Sequence, residues 1–287
     1  MLGRRSGHLL FLLLASLWIT AQAQAESSLT RDDIQAAIAA PSFNQGFKQF
    51  LGKLPQVEVP EAGNAIYYIV EGDLLLDEEG VQSYLMGLRN GPAPARGGEL
   101  RVMTEQGRKV IWSKDQRKLT YAVDRASFPT QQQYQTVVQN MRTAAKDWMF
   151  CSECGVSFVH QSAQDSNPKS GQVTFIVRYS TSIDGYFAVA FFPSYPVALR
   201  YIYITPRYFT TDYNPVGILR HELGHVLGYQ HEQVVGVPGC AREGNNWTEV
   251  SPYDPKSVMH YLCGGGGTKQ MALQDSDKAG HRATYGE

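Results

Sequence analysis

The chain has 287 residues, 43% of them apolar and 18% charged, with a formal net charge of -1. This is the composition of a globular protein with room for one good-sized core, or one core and a smaller unit, and no internal repeat is present. Near-neutral charge leaves no general electrostatic case for binding nucleic acid or a membrane surface, so any partner has to be argued from a site.

In chain order, Arg4 and Arg5 precede an apolar run from Leu9 to Ile19, and Ala21-Gln22-Ala23-Gln24-Ala25 follows it. That layout predicts a cleaved signal peptide over residues 1–25. The run holds 11 residues, against the ~20 that cross a bilayer, so a stable membrane anchor is the weaker reading. The expected location is secreted or periplasmic.

Residues 26–111 read as a pro-segment or accessory region. They hold a short helical candidate, a strand candidate at Ala65–Val70, an acidic patch and a Gly/Pro-dense linker over 90–98. A boundary falls between Gly98 and Trp112, and residues 112–287 form the main domain. There a strand candidate over 119–123 leads into a helix opened by Pro129-Thr130, with Tyr134, Val138, Met141, Ala145 and Trp148 on one face. Further strand candidates cover 156–159, 173–178, 186–192 and 200–204. The order predicts an α+β domain, a mixed sheet against two long helices.

In an exported chain, cysteines can pair. Cys151, Cys154, Cys240 and Cys263 allow three pairings. Cys151 with Cys154, near neighbours, and Cys240 with Cys263, bracketing a loop-rich stretch, are favoured. A CxxC can instead be half of a zinc site or a redox pair.

The second long helix carries the chemistry. Asn214 can cap it, Pro215 suits its first position and Gly228 can end it. Its interior reads His221-Glu222-Leu223-Gly224-His225. Two histidines four apart project from one helix face and can share a metal ion. Glu222, about 100° around the helix, can serve as general base towards water at that metal. On its own the pattern could be a solvated helix face. Gly228 and then His231, each three residues on, allow the chain to turn and return a third imidazole, leaving the open position that catalytic zinc needs. Gly217 and Gly224 each cost about 1 kcal/mol relative to Ala in a helix interior, which points to close packing there.

The run His221 to His231 matches HExxHxxGxxH and so resembles the metzincin zinc peptidases, over roughly residues 112–287. Ser257-Val258-Met259-His260-Tyr261 looks like the metzincin Met-turn, in which the methionine forms a floor beneath the metal. Glu232 after the third histidine and Tyr261 two residues after Met259 are similar to astacins, where the glutamate tethers the mature N-terminus and the tyrosine stabilises the oxyanion. Shorter spacing from His231 to Met259 and the cysteine positions depart from astacins, and Phe191-Phe192-Pro193 and the C-terminal stretch resemble bacterial matrixins. The resemblance implies a metzincin fold with a C-terminal subdomain after His231, and Zn2+ on His221, His225 and His231. It also implies Glu222 and Tyr261 as catalytic residues and a protein or peptide substrate laid along the 186–192 edge. His260 is expected to be structural.

The pro-segment has no cysteine with which to block zinc. Val70-Glu71-Gly72-Asp73 resembles the astacin motif FxGD, which implies Asp73 as a latency ligand and cleavage within 90–113 as the activating step. The bland alternative is an ordinary turn before Leu74–Leu76. For the whole chain, the rival to an endopeptidase is a zinc-containing protein-binding module without turnover, for which the general base Glu222 would be superfluous.

Overall fold

The computed structural model of the chain describes residues 31–59, 63–90, 100–183, 185–240 and 247–286. The expected signal peptide and most of the Gly/Pro linker lie outside them. The described residues form an α+β structure with six α-helices.

The N-terminal region is richer in structure than its sequence promised. In place of one short helix it holds α1 (Arg31–Ala39), α2 (Phe43–Leu51) and α3 (Glu78–Asn90), around the antiparallel strands β1 (Gln56–Val59), β2 (Ala65–Val70) and β3 (Leu74–Leu76). Ser42 caps α2 by accepting from Gln45 N–H, the role its hydroxyl suits. The helices are too short to be stable alone, and they form because Ile34, Ala37, Phe50, Leu85 and Leu88 find a common core.

β4 (Arg101–Glu105) and β5 (Arg108–Lys109) follow, then β6 (Lys118–Val123), α4 (Gln131–Trp148), β7 (Ser157–His160), β8 (Phe175–Tyr179), β9 (Ala188–Val189) and β10 (Tyr201–Ile204). The chain ends through α5 (Pro215–Val226), β11 (Tyr229–Gln230), β12 (Trp247–Glu249) and α6 (Asp275–Tyr285). Five strands make a mixed sheet in the order β7-β6-β8-β10-β9, with only β9 antiparallel to its neighbour.

This sheet is buried on both faces, as its near-continuous apolar strands require. Leu119, Tyr121, Phe175, Val177, Ile202 and Ile204 point into the core shared with α4 and α5. The alternate residues Ala122, Ile176, Tyr201 and Tyr203 meet Val57, Val59, Tyr67, Ile69 and Leu75 of the N-terminal sheet. β4, within the interval assigned to the boundary, pairs with β11 and β12 and so joins the part that follows it.

Three local expectations differ. Of 186–192 only Ala188–Val189 forms a ladder; Val137 rather than Val138 is fully buried on α4; and α6 was not foreseen, because its eleven residues include few apolar ones. Both favoured disulfides, Cys151–Cys154 and Cys240–Cys263, are present. Among the described residues no helix is long and apolar enough to cross a membrane.

Candidate metal centre

α5 starts where its sequence says it should. The Asn214 side chain accepts from Val216 and Gly217 N–H, and Pro215 occupies the first turn, where no N–H is needed. Gly228, at φ 92°, then turns the chain into β11. The turn carries His231 back to the helix, so His221, His225 and His231 converge as the motif predicts.

The tautomers are set by the backbone. His221 Nδ1 donates to Val258 O and His225 Nδ1 to Tyr229 O, both at 2.8 Å. Their Nε2 atoms are therefore left as acceptors. His225 Nε2 lies 3.2 Å from His221 Nε2 and 3.1 Å from His231 Nε2. Nitrogens converging so closely in a buried site could be satisfied by a cation, and imidazoles with a carboxylate are donors that many transition metals accept. Burial lowers the pKa of His221 and His225, which favours the neutral, ligating form.

Asp73 supplies the carboxylate. Its Oδ2 lies 3.1, 3.3 and 3.0 Å from Nε2 of His221, His225 and His231. Together these four buried residues form a group able to hold a metal ion. Burial alone would raise the Asp73 carboxyl, but positive charge on the facing His231 and His225 and hydrogen bonds from His221 and His225, where those rings carry a proton, lower it well below the usual range. The turn that delivers it joins β2 to β3, so the ordinary-turn reading is also satisfied. Glu71 there has φ 55°, and Gly72 has φ 98°; a Cβ on Gly72 would sit 3.0 Å from the Tyr261 hydroxyl. Asp73 main-chain O accepts from Ala190 N–H at 2.9 Å, and Leu74 bridges Ala190 in parallel, so the turn occupies the sheet edge beside the histidines.

Glu222 is buried beside this group, and its Oε2 makes no hydrogen bond. Burial, reinforced by the Asp73 charge, pushes its pKa well above the ordinary carboxylate range, with His231 opposing. Tyr261 donates to Asp73 Oδ2 and lies 3.1 Å from Glu71 O. Its ring stands 4.2 Å from that of His231. His260 points elsewhere, held by Tyr261 O and the Tyr253 hydroxyl.

Met259 lies directly under α5: a Cβ on Gly224 would be 2.3 Å from its sulfur. Two supporting residues escaped sequence reasoning. Asp277 on α6 accepts from Ser257 Oγ at 2.5 Å and Val258 N–H at 3.0 Å, fixing the Met259 turn. Because α6 was not foreseen, no local pattern marked it. Arg101 is fully buried and contacts Glu232, the neighbour of His231; nothing in its local sequence marks it. No protein-family model and no curated protein matches the chain.

Proposed function

We propose that the chain is the precursor of an exported zinc endopeptidase of the metzincin clan, with astacin-like features, held inactive by its own N-terminal region. The observation that carries this reading is the convergence of three buried imidazoles on one point, two of them anchored to main-chain carbonyls, with Glu222 beside it and Asp73 inserted into it. Zinc bound to His221, His225 and His231 would acidify water and polarise a peptide carbonyl.

The protein's own groups do the rest. Glu222 accepts the proton of the attacking water and passes it to the departing amine. The Tyr261 hydroxyl, released from Asp73, donates to the oxygen of the tetrahedral intermediate. Ala190 N–H, now satisfied by Asp73 O, is a main-chain donor for an extended substrate at the sheet edge. In the precursor the Glu71–Asp73 turn occupies the point between the imidazoles, the Tyr261 hydroxyl and the Ala190 N–H, and cleavage between α3 and β4 starts its removal. The two disulfides suit an oxidising, extracytoplasmic location.

The test is zinc content and peptide cleavage before and after a cut within 91–99, with and without chelator. Chelator-sensitive cleavage that appears only after the cut supports the reading. A processed, zinc-loaded protein that cuts no peptide library would instead make it a binding module without turnover.

A further inference from the structure

Arg101 is the most deeply buried arginine among the described residues, its side chain 0% exposed. Nη1 donates to the main-chain oxygen of Glu232 at 3.1 Å and lies 3.5 Å from its carboxylate; Nη2 lies 3.8 Å from Glu249 Oε1; the guanidinium covers the Trp247 ring at 4.6 Å. Glu232 follows His231 in the chain. Its N–H donates to Met259 O at 2.9 Å, and its Oε1 accepts from Asp254 N–H at 3.0 Å. The same strand reaches the other side of His231, because Arg101 is register partner to Gln230 and Val102 to Tyr229.

We propose that Arg101 is a positioning residue for the third metal ligand: from β4 it clamps the residues on both sides of His231 and ties them to the Met259 turn. The proposal rests on the zinc reading above. An arginine suits the task because its planar fork can donate to a main-chain carbonyl while neutralising the carboxylate of the same residue. It follows that β4 belongs to the working domain, and that an activating cut must fall before Arg101. The buried carboxyl group of Glu232 already faces a cation inside the chain, Arg101 at 3.5 Å.

A merely neutralising role for Arg101 makes a different prediction, and two variants of the full chain separate the two. Arg101→Met leaves Glu232 buried without its cation and is expected to fold poorly. Arg101→Met/Glu232→Gln removes both charges and keeps an acceptor for Asp254 N–H, so its metal-free form is expected to melt close to the parent. Zn2+ affinity is read by competition with a chromophoric chelator, and ligand geometry by the Co2+ absorption spectrum. Positioning predicts at least a tenfold loss of Zn2+ affinity and a changed Co2+ spectrum in the folded double variant. Parent-like affinity, within twofold, and an unchanged spectrum in that variant would overturn the proposal while leaving the metal site intact. Failure of the parent chain to bind Zn2+ would overturn both.

Discussion

Asp73 and Tyr261 are 188 residues apart in the chain and share a hydrogen bond at the focus of three imidazoles. The expected consequence is that Asp73→Ala weakens latency. Removing the carboxylate frees the metal position and the Tyr261 hydroxyl together, while the β2–β3 turn still crosses the sheet edge through Ala190. The uncleaved variant should therefore gain about tenfold in peptidase rate, the equivalent of ~1.4 kcal/mol, yet stay below the processed enzyme. An uncleaved Asp73→Ala chain as inactive as its parent, beside an active processed form, would remove Asp73 from the switch.

In the proposed precursor the sheet-on-sheet contact would add a second layer of latency. Val57, Val59, Tyr67, Ile69 and Leu75 are buried together with Ile176, Val189, Tyr201 and Tyr203. Each such side chain contributes ~1.5–3 kcal/mol on burial, so the five together are comparable to the roughly 8 kcal/mol of a micromolar complex. Cutting within 91–99 should leave the two pieces bound. Gel filtration of the cut protein at micromolar concentration should show one peak containing both fragments, and separate peaks would show that the cut alone releases the enzyme.

Glu222→Gln should separate binding from chemistry. The three imidazoles, and the carbonyl partners of His221 and His225, are untouched, so zinc stoichiometry is expected to stay at the parent value. Loss of the proton acceptor should lower the processed enzyme's turnover by about 10²–10⁴-fold. Parent-like turnover would mean that another group takes the proton.

Gly224 shows how far the sequence could be read. A glycine inside a helix signals close packing, and the structure supplies the neighbour, Met259, from a segment 35 residues on, too distant for any local pattern to name. Gly217 likewise faces Gln270 main-chain O at 2.4 Å from a would-be Cβ. The same division holds across the molecule. Caps, strand alternation and the histidine spacing act locally and were legible. The Arg101–Glu232 pair, the Asp277 anchor and the sheet-on-sheet layer join residues distant in sequence, and only the fold reveals them. Gly224→Ala should lose about 1–3 kcal/mol to overpacking, partly offset by the ~1 kcal/mol that alanine adds to a helix. Urea denaturation of the metal-free protein would measure this, and a variant more stable than the parent would show that Met259 can move aside.

The last expectation concerns acid. His281 on α6 is fully buried against Trp148, Phe150 and Tyr285, and its Nδ1 is 2.8 Å from the hydroxyl of Tyr229, in the turn between His225 and His231. Burial, aided by the charges of Arg117 and Arg282, depresses its pKa to about 3. The unfolded chain takes up a proton near pH 6.5 and the folded protein only near pH 3. Neutral His281 therefore favours the fold fully above pH 6.5, and that contribution falls away as the pH drops from 6.5 towards 3. The slope is about 1.4 kcal/mol per pH unit, so some 2 kcal/mol is lost by pH 5. His281→Gln keeps a polar group near Tyr229 but cannot titrate. It is expected to be less stable than the parent at pH 7 and to show a shallower decline between pH 7 and 5, measured by urea unfolding in chelator so that metal release does not contribute. Equal slopes in parent and variant would show that His281 takes up its proton without unfolding the protein.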